Sequence, residues 1–139
     1  MLWVKAGATL RPLTHERLDN KEQLLQMNGA EVFKHAVRAM VDSSLNVLEQ
    51  VGKTPADVSL MIPHQANLRI IEATAKRLEV PMEQVFVNIH EYGNTSSATI
   101  PVAISEAARA GRLRDGDTVL FAAFGGGLTW AAGVLTWGK

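Results

Sequence analysis

Apolar positions recur along the chain in two different periods, and the changes between them mark out its elements. Leu2-Trp3-Val4-Lys5-Ala6 is a short, mostly apolar run closed by Gly7, and it predicts a strand. Residues 8–27 carry Pro12, Asp19, Asn20 and scattered charges without periodicity, which predicts a long loop. From Gly29 to Gln50, Phe33, Val37, Met40, Val41, Ser44, Leu45 and Leu48, continued by Val51, fall three and four apart. That is the spacing of one helix face, and Gly52 supplies the stop. Thr54-Pro55-Ala56-Asp57 predicts a turn, or a single helical turn capped by Thr54 with Pro55 at its first position.

The second half alternates short apolar runs with helical spacing. Val58 to Ile62 predicts a buried strand halted by Pro63, and Asn67 to Leu78 a helix with Leu68, Ile71, Ala75 and Leu78 on one face. Phe86 to Ile89 predicts a third strand. A helix from near Ser97 to Ala110 tolerates Pro101 because that residue falls in its first turn. Thr118 to Ala123 and Leu128 to Trp137 predict two final strands, joined through Gly125-Gly126-Gly127 as an antiparallel hairpin. Strands separated by helices of this length imply parallel β-α-β units. The expected fold is therefore α/β, a mixed sheet with helices packed on it and a C-terminal hairpin. Residues 1–27 would be a strand end and loop, and residues 28–139 the α/β core.

Composition narrows the function. The 139 residues are 47% hydrophobic and 20% charged, enough to bury a core. Fourteen Lys and Arg balance fourteen Asp and Glu, so no basic field is available to hold nucleic acid or an anionic membrane. No apolar run approaches the roughly 20 residues that span a bilayer, and Met1 to Lys5 lacks the n-region of a signal peptide. A soluble cytoplasmic domain is expected. There is no cysteine, which excludes disulfides, thiolate metal sites and a cysteine nucleophile from this chain.

Ligands of open α/β sheets bind beyond the carboxyl ends of the strands. Three segments fall at such ends: Pro63-His64-Gln65-Ala66-Asn67, Gly93-Asn94-Thr95 and Phe124-Gly125-Gly126-Gly127. Each has an ordinary reading: His64 as a hydrogen-bonded structural residue, Asn94 as a turn residue tolerant of left-handed backbone, the glycines as a tight connection. No Gly-Lys-Ser/Thr follows the glycines, so they are not a phosphate loop. His15, His35 and His90 show no metal-site spacing, and no metal ligands are expected.

Taken together these segments carry a resemblance. Pro63-His64-Gln65-Ala66-Asn67-Leu68-Arg69-Ile70-Ile71, then Gly93-Asn94-Thr95-Ser96-Ser97-Ala98, then Phe124-Gly125-Gly126-Gly127-Leu128-Thr129-Trp130 resemble β-ketoacyl-acyl-carrier-protein synthase III, a condensing enzyme of the thiolase-like superfamily. The likeness extends back through Asn28 to Lys34 and Leu2 to Gly7. His64 with Asn94 fits the Cys-His-Asn set of this type, as against the Cys-His-His set of its relatives.

The resemblance implies the C-terminal half of a subunit built from two similar halves, with the nucleophilic cysteine in the other half. The missing cysteine then reads as that of a fragment, by design, cleavage or a divided gene. The chain alone is expected to be inactive. In the complete enzyme, an acyltransferase of fatty-acid biosynthesis, an acyl-CoA (commonly acetyl-CoA) acylates the cysteine; malonyl-carrier protein then loses carbon dioxide and attacks the acyl group. His64 and Asn94 would stabilise the enolate, and the Gly126 N–H the acyl-transfer oxyanion, with Phe124 an apolar wall. Ala66, Asn67 and Ile70 would line the path of the pantetheine arm. Arg69, Lys34, Lys76 and Arg77 match basic positions for docking the acidic carrier protein; their ordinary reading is a solvated face. No cofactor is implied beyond the thioester substrates. Expected partners are the N-terminal half, the acyl carrier protein and, in the complete enzyme, a second subunit. The alternative is a noncatalytic domain of this fold that binds a partner or a pantetheine thioester.

Overall fold

Strand β3 (Leu60–Pro63) is wholly buried, and the reason is visible in its alternation. Met61 joins one apolar cluster and Leu60 and Ile62 another, on opposite faces of the sheet. A strand covered on both faces has no solvent side to keep polar, hence its continuous apolar run. β3 pairs in parallel with β4 (Thr118–Gly125), with Leu60 opposite Val119 and Pro63 opposite Ala122. β4 pairs antiparallel with β5 (Thr129–Thr136) to complete a three-stranded mixed sheet, as expected. A computed structural model describes residues 2–138 of the chain.

Helix α2 (Gly29–Gln50) is capped by the Asn28 side chain, which accepts the N–H of Glu31 at 3.2 Å. It lays Val37, Met40, Val41 and Leu48 on one face of the sheet, and α3 (Leu68–Arg77) adds Ile71 and Ala75 to the same cluster. Leu45 and Leu68, expected on these faces, are exposed instead. On the other face, α5 (Thr99–Arg109) packs Ala103 and Ala107 against Leu60, Ile62 and Val119. Pro101 falls in its first turn, where its missing N–H costs no helical bond.

Three expectations are corrected. The segment 8–27 is not an unstructured loop. Thr14 accepts the Arg17 N–H and starts the short helix α1 (His15–Asp19), and β2 (Leu25–Met27) pairs antiparallel with β1 (Leu2–Val4). The strand ends at Pro63 as expected but begins at Leu60 and not at Val58, and the next N–H, that of His64, donates to the Ala122 carbonyl at 2.8 Å. Most consequentially, Phe86 to Ile89 forms no strand. A single bridge joins Val85 to Met61, the Phe86 N–H donates to the Met61 carbonyl at 2.9 Å, and Ile89–Tyr92 turns into the short helix α4.

The buried Gln65 side chain takes the place of the missing strand pairing. Its Nε2 donates to the Phe86 carbonyl (3.0 Å) and the Pro63 carbonyl (2.8 Å), and its Oε1 accepts the Asn88 N–H (3.0 Å). Sequence periodicity reads the apolar run of 85–89 but has no way to see that a side-chain amide will satisfy its backbone groups.

A test of this role is Gln65→Leu, which keeps the bulk and removes the hydrogen bonds. Leaving these buried backbone groups unpartnered should lower the unfolding free energy by roughly 1–3 kcal/mol in urea titration. A variant as stable as the parent would show that the amide does not hold this segment.

Candidate functional site

Two of the three segments singled out in the sequence lie at neighbouring strand ends, and the third is tied to the first of them through Thr99. His64 follows the end of β3, and Phe124 and Gly125 are the last two residues of the neighbouring β4, with Gly126 following them. Asn94 lies in the connection between α4 and α5, and that connection is tied to His64 directly: Nδ1 of His64 is 2.6 Å from Oγ1 of Thr99, the first residue of α5.

Both polar residues are half committed to the protein. His64 is partly buried, and its contact with Thr99 leaves Nε2 as the ring nitrogen for a ligand. Burial holds its pKa below the ordinary 6.5, so the ring is neutral at pH 7. Asn94 accepts the Ser96 N–H on Oδ1 at 2.9 Å. An acceptor role fixes which end of the amide is oxygen, and the NH2 end is left to donate outward. The left-handed residues of this turn are Gly93 (φ 65°) and Ser96 (φ 55°), so Asn94 itself does not serve as the turn's left-handed residue.

A second network braces the same rim. Asn88, buried, donates from Nδ2 to Oε2 of Glu106 at 2.8 Å, and the Tyr92 hydroxyl donates to Oε1 of Glu106. Together with Gln65 these contacts link the His64 loop, α4 and α5. The Tyr92 bond, then the Asn88 bond, hold the Glu106 carboxyl below its usual range. Sequence reasoning passed over Thr99, Asn88 and Glu106; Thr99 and Asn88 flank the Gly-Asn-Thr segment within a few residues, and Glu106 carries no local signal.

The other candidates divide. Phe124 and Ile70 are half-buried and pack against the α2–α3 cluster, on the side where Phe33 also lies. Asn67 caps α3, its Oδ1 accepting the Arg69 N–H at 2.9 Å, so it has a structural role whatever else it contacts. Ala66 is exposed beside it. In the glycine turn the left-handed backbone belongs to Gly127 (φ 74°) and Leu128 (φ 56°), not to Gly126. A Cβ at Gly126 would meet nothing within 4 Å, so the chain itself does not demand glycine there.

The four basic candidates do not form one patch around the rim. Arg69 stands at the start of α3, its guanidinium carbon 5.7 Å from the centre of the Phe33 ring. Lys34, next to Phe33, pairs loosely with Glu31 at 3.5 Å. Lys76 and Arg77 occupy the last turn of α3, about 10 Å further along the axis. Among the described residues no group of three or more His, Asp or Glu could hold a metal, and no helix is long and apolar enough to cross a membrane. A cavity of about 590 Å³ opens among residues 4–8, Leu10, Arg11, Leu13 and Gln23, and none of the candidate site residues lines it. Around it the segment exposes Val4, Leu10 and Leu13.

Comparison with known proteins shows what the chain is similar to. The family described as 3-oxoacyl-[acyl-carrier-protein (ACP)] synthase III C terminal matches residues 48–137. The chain is 57% identical over 137 residues to the beta-ketoacyl-[acyl-carrier-protein] synthase III of Roseiflexus sp. (strain RS-1), covering 99% of this chain and 42% of the relative. With that of Bacillus pumilus it shares 48% over 139 residues, covering 100% and 44%. It thus spans less than half the length of these curated relatives. Among solved structures, the synthase III of Thermus thermophilus superposes with a TM-score of 0.80 at 59% identity, over 84% of this chain and 36% of that one. The enzyme from Pseudomonas aeruginosa PAO1 gives 0.84 at 38% identity, over 100% and 42%. The expected thiolase-like C-terminal architecture is the one found.

The lowered pKa of His64 has a sign that can be checked. A folded value below the unfolded one means the neutral ring's contribution to stability is present above about pH 6.5. It is lost as pH falls through the lowered folded value. In an NMR titration His64 should reach its midpoint below 6.5; a midpoint at or above 6.5 would contradict the buried, neutral assignment.

Proposed function

The chain belongs to the 3-oxoacyl-[acyl-carrier-protein] synthase III family as its C-terminal part, and from there we propose that it supplies the decarboxylating donors of a condensing site. The observation that carries this is the shared arrangement of His64 and Asn94. Each has one polar atom satisfied within the protein and, among the described residues, keeps the other for a ligand, and the segment carrying Asn94 is tied to His64 through Thr99.

Loss of carbon dioxide from a malonyl thioester leaves two electrons on the α-carbon, delocalised onto the thioester oxygen as an enolate. Nε2 of His64 and Nδ2 of Asn94 donate to that oxygen. Neutral donors suit this chemistry, because they stabilise the charge as it forms without protonating the carbon that must attack the acyl group. The nucleophilic cysteine comes from the N-terminal half of the complete synthase, since this chain has none, and it carries the acyl group taken from an acyl-CoA. The Gly126 N–H helps hold the oxyanion of that transfer. Phe124 supplies an apolar wall, and Ala66, Asn67 and Ile70 flank the pantetheine arm. Only thioester substrates are needed, with no further cofactor.

Arg69 and Lys34, at the rim end of their helices, are placed to meet an acidic carrier protein; Lys76 and Arg77 stand further off and contribute less. The balanced charge and the absence of a membrane-spanning helix among the described residues agree with catalysis in the cytoplasm. Exposed Trp3, Val4, Leu10, Leu13, Leu24, Leu25 and Met27 form the apolar surface for the other half. In this reading the isolated chain cannot form an acyl-enzyme and does not condense. The lack of cysteine also favours a second reading, a binding domain that holds a pantetheine thioester without chemistry.

The test is made in the complete synthase. His64→Ala and Asn94→Ala should each lower malonyl decarboxylation about a hundredfold or more, while radiolabelled acyl transfer to the cysteine is less affected. Equal loss of both half-reactions would sink the division of roles. Unimpaired decarboxylation would leave the binding reading.

A further inference from the structure

Thr99 is 2% exposed, and its Oγ1 lies 2.6 Å from Nδ1 of His64. At that distance one proton lies between the two atoms, belonging either to the hydroxyl or to the ring. A hydroxyl has one proton to give, and a neutral imidazole has one N–H and one lone pair. If Nδ1 held the ring proton, the hydroxyl would accept it and need a second acceptor for its own hydrogen. Among the described residues Oγ1 has no partner besides His64. A buried hydroxyl proton would then be left unsatisfied, which is costly in a packed interior. If the hydroxyl donates instead, both groups are satisfied, and the ring proton resides on Nε2. Burial disfavours the doubly protonated ring, so the neutral tautomers are the ones that compete.

We infer that Thr99 is a positioning residue: by donating to Nδ1 it holds His64 as the Nε2–H tautomer, the only neutral form that can donate to an oxyanion at the rim. The opposite tautomer would present a lone pair to the developing negative charge. Thr99 also anchors α5 to the end of β3, so one contact sets both the tautomer of His64 and the start of the helix that follows Asn94. The inference rests on the decarboxylating role proposed for His64, and the test separates the two.

Imidazole ¹⁵N NMR on the ring-labelled chain reads the tautomer without any turnover, with the His64 signals assigned from their loss in His64→Gln. The parent chain should show His64 protonated on Nε2. Thr99→Val, similar in shape but without the hydroxyl, should shift proton density toward Nδ1, and Thr99→Ser should restore the parent pattern. In the complete synthase, Thr99→Val should lower kcat for malonyl decarboxylation about 10–100-fold with little change in KM, and Thr99→Ser should recover most of it. An Nδ1–H tautomer in the parent chain overturns the inference, as does an unaltered tautomer in Thr99→Val, whatever the rate. If Thr99→Val does not fold, the parent chain and Thr99→Ser still decide. A shifted tautomer with undiminished decarboxylation would leave the role of Thr99 standing and remove the donor role of His64.

Discussion

The parallel rungs between β3 and β4 run from Leu60 opposite Val119 to Pro63 opposite Ala122, and the His64 N–H closes the ladder on the Ala122 carbonyl. Both strands run toward one edge of the sheet, and β4 continues three residues past Ala122, to Gly125, before it ends. The pairing puts His64 and the glycine turn on the same edge of the sheet, with Gly126 further out along the direction of β4. The pairing is stabilised by cover on both faces, α2 and α3 on one and α5 on the other. At roughly 25 cal/mol per Å² of apolar surface removed from water, that cover outweighs any single polar contact at the rim. Weakening the core would move the site before it changed its chemistry.

The segment that carries Asn94 is positioned by a different route. No strand delivers it, and its connection is held by side chains. Gln65 grips the backbone of Phe86 and Asn88, Glu106 receives Asn88 and Tyr92, and Thr99 meets His64. The site therefore combines a part fixed by the backbone ladder with a part fixed by a polar network. The network is also where substitutions should disturb chemistry without unfolding the core, because it links loops and contributes little apolar burial.

Much of this was legible in the sequence. The long helix 29–50 follows its three-four spacing closely, and the β4–β5 hairpin lies where the three glycines divide two apolar runs. His64 and Asn94 stood out because motif order and spacing survive without coordinates. What was lost was whatever depends on contact across space. The apolar run 85–89 has the pattern of a strand, yet Gln65, 21 residues from Phe86, satisfies its backbone instead. Thr99 has no period or motif to announce that it faces a ring 35 residues away. The helix at 15–19 hid because its amphipathic signal is short and none of its residues is buried. The spread of Lys76 and Arg77 away from Arg69 becomes plain once α3 is given its length.

Everything proposed for the rim depends on His64 and Asn94 converging on one oxygen. The direct measurement is a crystal structure of the complete synthase with a malonyl-thioester analogue that cannot decarboxylate. The thioester oxygen should lie within hydrogen-bond distance, about 2.7–3.2 Å, of both Nε2 of His64 and Nδ2 of Asn94. An analogue bound with that oxygen turned away from either donor, or seated at another edge of the sheet, would contradict the convergence.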